Sequence, residues 1–342
     1  MPEPFMPLPS KDRLRALDLA ANHLNRPINI LDKDVWVVWS LQTLFGSAFG
    51  EHLVFKGGTS LSKAYDIIKR FSEDVDITYD IRKIASDLVG DNDEGMPPSR
   101  SQEKRWTKEI RPRLAEWAEG EVKPYLQSAI ADQGLPAKVR AEGHKIFIDY
   151  EPTSTKGIRY VVPVVTLEFG ARSTGEPSTL HDVKCDMDGF VEGVVFPTAR
   201  PRVMHAERTF WEKITAAHVF CLQQHLRAER FARHWHDLVR LDDAGIADVA
   251  LRDRALAESV VKHKAMFFRK KAADDKPIDY GETINGGLQL VPTGDARLAL
   301  EADYQSMIEN GFFLDEVEPF DSLLDRCAGI EKRINRMYLE SL

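Results

Sequence analysis

The chain has 342 residues, 43% of them hydrophobic and 29% charged, which is enough for two domains of ordinary size and excludes disorder along the whole length. Its 46 Lys and Arg against 54 Asp and Glu leave a net charge of −8, an argument against a general nucleic-acid coat protein. Three widely spaced cysteines (Cys185, Cys221, Cys327), no apolar run near the roughly 18 residues of a membrane span, and an N-terminus without signal-peptide order predict a reduced, cytoplasmic protein with no membrane partner.

In chain order, apolar spacing near 3.6 predicts helices over 11–26 and 34–49, the second capped by Asp32 or Asp34. Leu53-Val54-Phe55 is a short buried strand that runs into Lys56-Gly57-Gly58-Thr59-Ser60. A helix follows, with Leu61, Ala64, Tyr65 and Ile68 on one face, and Val75 to Tyr79 is the next strand. A turn-rich loop over 91–101 leads to helix over 102–131. Strands are expected over 137–150 and 158–169, with Pro163 suiting an edge or a bulge. Residues 196–202, with two prolines, break the pattern. From His205 the chain reads as helical to the end, except over 272–295. The fold class is therefore α+β, with a domain over 1–200 and a helical domain over 201–342.

The strand-to-helix junction is the informative stretch. Gly57 and Gly58 allow positive φ and close approach by another group. The helix start offers free N–H groups and the positive end of its dipole, and Thr59 and Ser60 add hydroxyl donors, all suited to phosphate. The plain alternative is a tight turn with an N-cap. Asp74 and Asp76, two apart in a strand, face the same side, and two carboxylates so close repel unless a cation lies between them. Hard oxygen donors of that kind suit magnesium. Glu168, at the end of the long apolar strand, is the candidate third carboxylate for a two-metal site, with pairing to Arg172 or solvent as the alternative.

In the helix after His205, Trp211, Ile214, His218 and Cys221 form an apolar stripe, while Lys213 lies with Thr209, Phe210, Ala216 and Ala217. A lysine on so uncharged a face either meets a triphosphate or snorkels. Arg208 and Glu212 form an i,i+4 pair. Asp237 can pair with Arg233 and Arg240, or else position Lys213 or the nucleotide. Of the three nearby histidines His225, His234 and His236, the i,i+2 pair His234 and His236 does not share a helix face, so zinc is not expected.

Gly57-Gly58-Thr59-Ser60-Leu61-Ser62-Lys63-Ala64-Tyr65 and Arg70-Phe71-Ser72-Glu73-Asp74-Val75-Asp76 resemble the first motifs of the AbiEii/AbiGii nucleotidyltransferase toxins, within the polymerase-beta-like superfamily. Glu207-Arg208-Thr209-Phe210-Trp211-Glu212-Lys213 and His236-Asp237-Leu238 resemble its third and fourth motifs. Later segments fit as well: His263 to Phe268, Leu288 to Pro292, Asp303-Tyr304 and Ile334-Asn335. The resemblance implies a polymerase-beta-like domain, a mixed sheet flanked by helices, with a helical C-terminal lobe. It implies Mg2+-dependent (or Mn2+-dependent) transfer from a nucleoside triphosphate. Gly58 and Thr59 would hold phosphates, Asp74 and Asp76 the metal, Lys213 the triphosphate, and Asp237 would complete the site. Glu168 matches the third carboxylate by its position at a strand end, where an aspartate is commoner. The expected acceptor is RNA, at a tRNA 3′ end, with a cognate antitoxin in a toxin–antitoxin or phage-defence setting.

Residues 200–271 carry 15 basic against 9 acidic side chains, and Lys262 to Lys271 could hold an RNA backbone or form a solvated helix face. The expected chemistry is in-line attack by a hydroxyl on the α-phosphate. Asp74 or Glu168 would help deprotonate it, and Lys213 would stabilise the departing pyrophosphate. The competing expectations are a nucleotide-binding sensor without turnover, and a transferase whose acceptor is a protein hydroxyl.

Overall fold

A computed structural model describes residues 2–70, 74–154, 161–223, 230–314 and 317–339. The expected Phe71-Ser72-Glu73 of the second motif, the strand start at 158–160 and His225 lie outside the described residues. The chain divides into two compact units: one holds 1–64, 71–96 and 104–204, the other 65–70, 97–103 and 205–342.

The first unit is built on a seven-stranded mixed sheet. Its strands are β1 (Leu53–Lys56), β2 (Asp74–Tyr79), β3 (Ala137–Glu142), β4 (Lys145–Tyr150), β5 (Val164–Gly170), β6 (Ser178–Leu180) and β7 (Arg202–Met204), in the order β3-β4-β5-β2-β1-β7-β6. β2 runs parallel to β5, and β7 parallel to β1; the other neighbours are antiparallel. Strand alternation sorts the side chains by face. Val75, Ile77, Ile146, Ile148, Val165, Leu167 and Phe169 are buried on one side. There Trp117 packs on Tyr79 and Phe169, and Trp36 stacks on Tyr150. These rings come from α2 (Ile28–Phe45) and α4 (Arg100–Trp117), which cover that face; each such side chain contributes about 1.5–3 kcal/mol by burial. α1 (Ser10–Leu24) packs on α2, and α5 (Lys123–Asp132) on β3.

Several local expectations change. α2 begins at Ile28, so Asp32 and Asp34 lie inside the helix and cap nothing. Both are buried: Asp32 accepts from the Thr153 N–H at 2.7 Å, and Asp34 binds Lys63 at 2.5 Å. Residues 137–150 form a hairpin, turning at Gly143 with φ +58°. Pro163 stands just before β5, which is an interior strand, so its missing N–H interrupts no ladder. The prolines of 196–202 likewise flank short strands, Thr198–Ala199 and β7. α3 (Gly57–Lys63) stops before Asp66, whose φ is +52°, so Ala64, Tyr65 and Ile68 do not extend its face.

The second unit is helical: α6 (Ala206–Gln223), α7 (Arg233–Asp243), α8 (Ile246–Arg252), α9 (Arg254–Phe267), α10 (Gly294–Glu309) and α11 (Phe320–Leu339). Trp211 and Trp235 sit fully buried at its centre, their indole N–H groups bonded to the Ala250 and Leu290 carbonyls. The extended run 288–291 is held by α6 and α11. The Asn335 amide bonds both backbone groups of Leu288, and His218 accepts from the Gln289 N–H at 3.1 Å. Asp303 on α10 accepts the Ala232 N–H ahead of α7 at 2.7 Å. No helix among the described residues is long and apolar enough to cross a membrane.

Candidate functional site

The expected site residues divide between the two units. In the first, the face of the sheet opposite the aromatic core carries charge. Asp74 and Asp76 project from it, half-buried, while Val75 and Ile77 point into the core. Strand register sets Lys56 of β1 opposite Asp76, Asp76 opposite Glu168, and Glu168 opposite Lys145 of β4. Four strands thus present a charged row, two adjacent carboxylates flanked by two lysines. Asp74 stands in the next row, opposite Thr166.

The start of α3 fits closely under this face. Gly57 has φ +79°, and a Cβ there would lie 2.3 Å from Asp76 Oδ2. Only glycine tolerates both the backbone angle and that approach. Thr59 and Ser60 differ from the expectation of free phosphate donors. The Thr59 hydroxyl donates to the Asp74 carbonyl, and the Ser60 hydroxyl to the Gly57 carbonyl at 2.9 Å. Both side chains are buried and brace the turn against β2. Among the described residues no side chain caps α3.

Glu168 shares a row with Asp76, and its carboxylate binds Lys145 at 2.7 Å, with His144 at 3.8 Å. That bond is the main cause raising the Lys145 pKa, and the charges of Glu168, Asp74 and Asp76 add to it. Among the described residues no three His, Cys, Asp or Glu side chains are disposed to hold a metal ion. The two aspartates remain a hard-oxygen donor pair that suits magnesium with phosphate oxygens completing its shell.

Beneath the sheet residues, the far end of α3 is also fixed. Lys63 lies between Asp34 and Asp186, at 2.5 and 2.6 Å. Burial opposes its charge, yet the two carboxylates overcome that and raise its pKa.

The second unit brings Lys213 and Asp237 together. The Lys213 ammonium from α6 lies 2.7 Å from the Asp237 carboxylate of α7, and both are buried. Arg70 closes the group, donating from Nε and Nη2 to the two Asp237 oxygens at 2.7 Å each. His236 Nδ1 is 3.3 Å from the same carboxylate. Burial alone would push Asp237 up; Arg70 and Lys213 outweigh it and hold the carboxyl well below its usual range. Burial lowers the Lys213 pKa despite Asp237, with Arg70 adding to the effect. The expected partner Arg240 instead reaches Asp243 at 3.0 Å and Glu318 at 3.5 Å. Arg208 and Glu212 do pair, at 3.6 Å.

Arg70 and Lys145 were not among the expected site residues. Arg70 did stand in the second motif's stretch, four residues ahead of Asp74; for Lys145 only strand register supplies the signal.

The sequence profile of the AbiEii nucleotidyl transferase toxins of type IV toxin–antitoxin systems matches residues 39–326, and the chain belongs to that family. It is therefore a nucleotidyltransferase. None of the curated proteins matches the sequence. Among solved structures, MenT4, a nucleotidyltransferase toxin from Mycobacterium tuberculosis H37Rv, is similar at 18% identity with a TM-score of 0.41, over 94% of this chain and 88% of that one.

Proposed function

We propose that the protein moves a nucleotide from a nucleoside triphosphate to the 3′ end of a tRNA, using Mg2+ or Mn2+, as the toxin paired with a cognate antitoxin. The observation that carries this reading is the fit of Asp76 over Gly57, with Asp74 on the same sheet face. A backbone turn without a side chain, directly under a carboxylate pair, suits a phosphate beside a divalent cation.

Asp74 and Asp76 are the residues we assign to the cation, which when bound would neutralise phosphate charge and align the attacking and leaving oxygens. Gly57 and Gly58 let the phosphates approach the backbone. Thr59 and Ser60 keep that turn rigid through their bonds to the Asp74 and Gly57 carbonyls. Glu168 takes the proton of the attacking hydroxyl, and Lys145 adds a fixed cation to the same face. Within the helical unit, Asp237 holds Lys213 in place.

The test is incubation with each labelled nucleoside triphosphate and total RNA, resolved on a denaturing gel. Label is expected on RNA of tRNA size, and Asp76→Ala is expected to remove it while the protein stays folded. Undiminished labelling by that variant rejects the metal assignment. Label on polypeptide in place of RNA changes the acceptor and keeps the transferase.

A further inference from the structure

The hairpin of β3 and β4 extends the charged face of the sheet beyond Glu168. Along β4, Ile146, Ile148 and Tyr150 are buried on the core side, and alternation sends Lys145, Phe147 and Asp149 to the charged face. The Phe147 ring is only half-buried there. Arg140, directly opposite on β3, lays its guanidinium over that ring, with Cζ 3.8 Å from the ring centroid. Asp149 fixes the same guanidinium through Nε at 2.9 Å, and Glu142 through Nη1. The arginine side chain is still 45% exposed. Two carboxylates already meet its charge, so it offers solvent a fixed plane more than a free cation.

Strand register relates this stack to the acidic residues. Phe147 stands in the row of Asp74, through Thr166, and is the diagonal neighbour of Glu168 across β4 and β5, roughly 7–8 Å away. The glycine start of α3 lies on the other side of Asp76, where β1 ends. In-line displacement keeps the attacking and leaving oxygens on opposite sides of the phosphorus. With phosphates at Gly57 and Gly58 and the attacking hydroxyl at Glu168, the acceptor extends toward β4 and β3. We propose that Arg140 and Phe147 form a stacking platform for the terminal base of a single-stranded RNA acceptor, which sets the sugar hydroxyl of that nucleotide at Glu168. The inference rests on the reading that Asp74 and Asp76 hold the cation and Glu168 the hydroxyl. Unpaired bases stack on aromatic rings and on guanidinium planes alike, and both are present in one fixed pair.

The test titrates the protein into a single-stranded RNA hexamer with 2-aminopurine at its 3′ end, without triphosphate, so that nothing turns over. Stacking is expected to quench the fluorescence. Phe147→Leu, which removes the ring, and Arg140→Lys, which keeps the charge and removes the plane, are each expected to weaken binding by about tenfold. Phe147→Trp is expected to restore it. A hexamer with an abasic 3′ end should bind the wild type about tenfold more weakly and lose nothing further with Phe147→Leu, because the ring and the base act as one pair. A merely structural ring predicts losses that multiply. In the transfer reaction, Phe147→Leu should raise KM for the RNA and leave KM for the triphosphate unchanged. Should Phe147→Leu fail to fold by circular dichroism, Arg140→Lys, at an exposed position, carries the comparison. Undiminished binding by these variants, multiplying losses, or a raised KM for the triphosphate alone overturns the proposal, as does wild-type protein that does not bind the hexamer. Quenching that depends on Phe147 in a protein that transfers no label overturns the transferase reading instead and keeps the platform.

Discussion

The acidic face of the sheet and the buried triad of the helical unit hold charge in opposite ways. On the sheet, Asp74, Asp76, Glu168 and Lys145 are partly open, and water screens their repulsion. In the helical unit, Arg70, Asp237 and Lys213 are shut away, and the two cations keep Asp237 charged against its burial. Local order explains the difference: the sheet carboxylates are set by strand register and a glycine turn, the triad by long-range packing. The open group can exchange partners, which a reacting centre requires. The closed group is rigid and holds its lysine in one state.

The largest effect that separates the two follows from removing a carboxylate. Asp237→Ala leaves two enclosed cations facing each other and is expected to cost about 3–5 kcal/mol in denaturant unfolding. Asp76→Ala relieves repulsion and is expected to change stability by less than about 1 kcal/mol while ending catalysis. Equal losses for the two variants would erase the contrast.

Acid sharpens it next. Burial lowers His218 to about 4 and holds His234 and His236 below their usual values. The unfolded chain therefore binds these protons first. Their stabilising contribution is complete above about pH 6.5 and is lost as pH falls toward the folded values. Asp237 adds a further loss below its unfolded pKa of about 3.8, since its folded pKa is depressed. In the sheet unit, burial pushes Asp34 up to about 6 although Lys63 opposes it. Its folded form takes a proton first, so its own contribution grows as pH drops from about 6 to 4. Hydrogen exchange across pH 7 to 4 should show 205–339 losing protection before the sheet strands; loss in the sheet first contradicts the assignment.

Gly57→Ala is a smaller test. The new methyl must displace Asp76 and adopt a positive φ, at about 1–2 kcal/mol for the backbone alone. Transfer should fall far more than stability does, as read by gel labelling and thermal melting. Smallest is Glu168→Gln, which breaks a half-exposed pair with Lys145 and should cost about 0–1 kcal/mol in melting. Its activity loss should exceed that cost if Glu168 takes the hydroxyl proton.

Much of this was legible from residue order. The strand, glycine turn and acidic strand at 53–79 are local patterns, and alternation alone put Asp74 and Asp76 on one face with Val75 and Ile77 on the other. The helical character of the second unit and the buried stripe of α6 were likewise periodic signals. Other elements were hidden. Asp32 and Asp34 read as caps because caps are the usual use of aspartate near a helix start, yet Thr153 and Lys63 claim them from afar. The hydroxyls of Thr59 and Ser60 looked free because a sequence does not reveal which carbonyl lies above them. Arg240 seemed the natural partner of Asp237 at i+3, whereas a guanidinium 167 positions away took both oxygens.

Residue order by itself determined the periods, the breaks and the chemical types: an acidic pair in a strand, a glycine pair before a helix, a lysine on an uncharged helix face. Those follow from backbone geometry within a few residues. Only the tertiary structure decided which opposite charge each buried group meets, that Lys145 belongs beside Glu168, and that Arg70 holds Asp237. Burial makes an ionic group's free energy depend on whatever neighbour the whole fold delivers, and no local pattern encodes that neighbour.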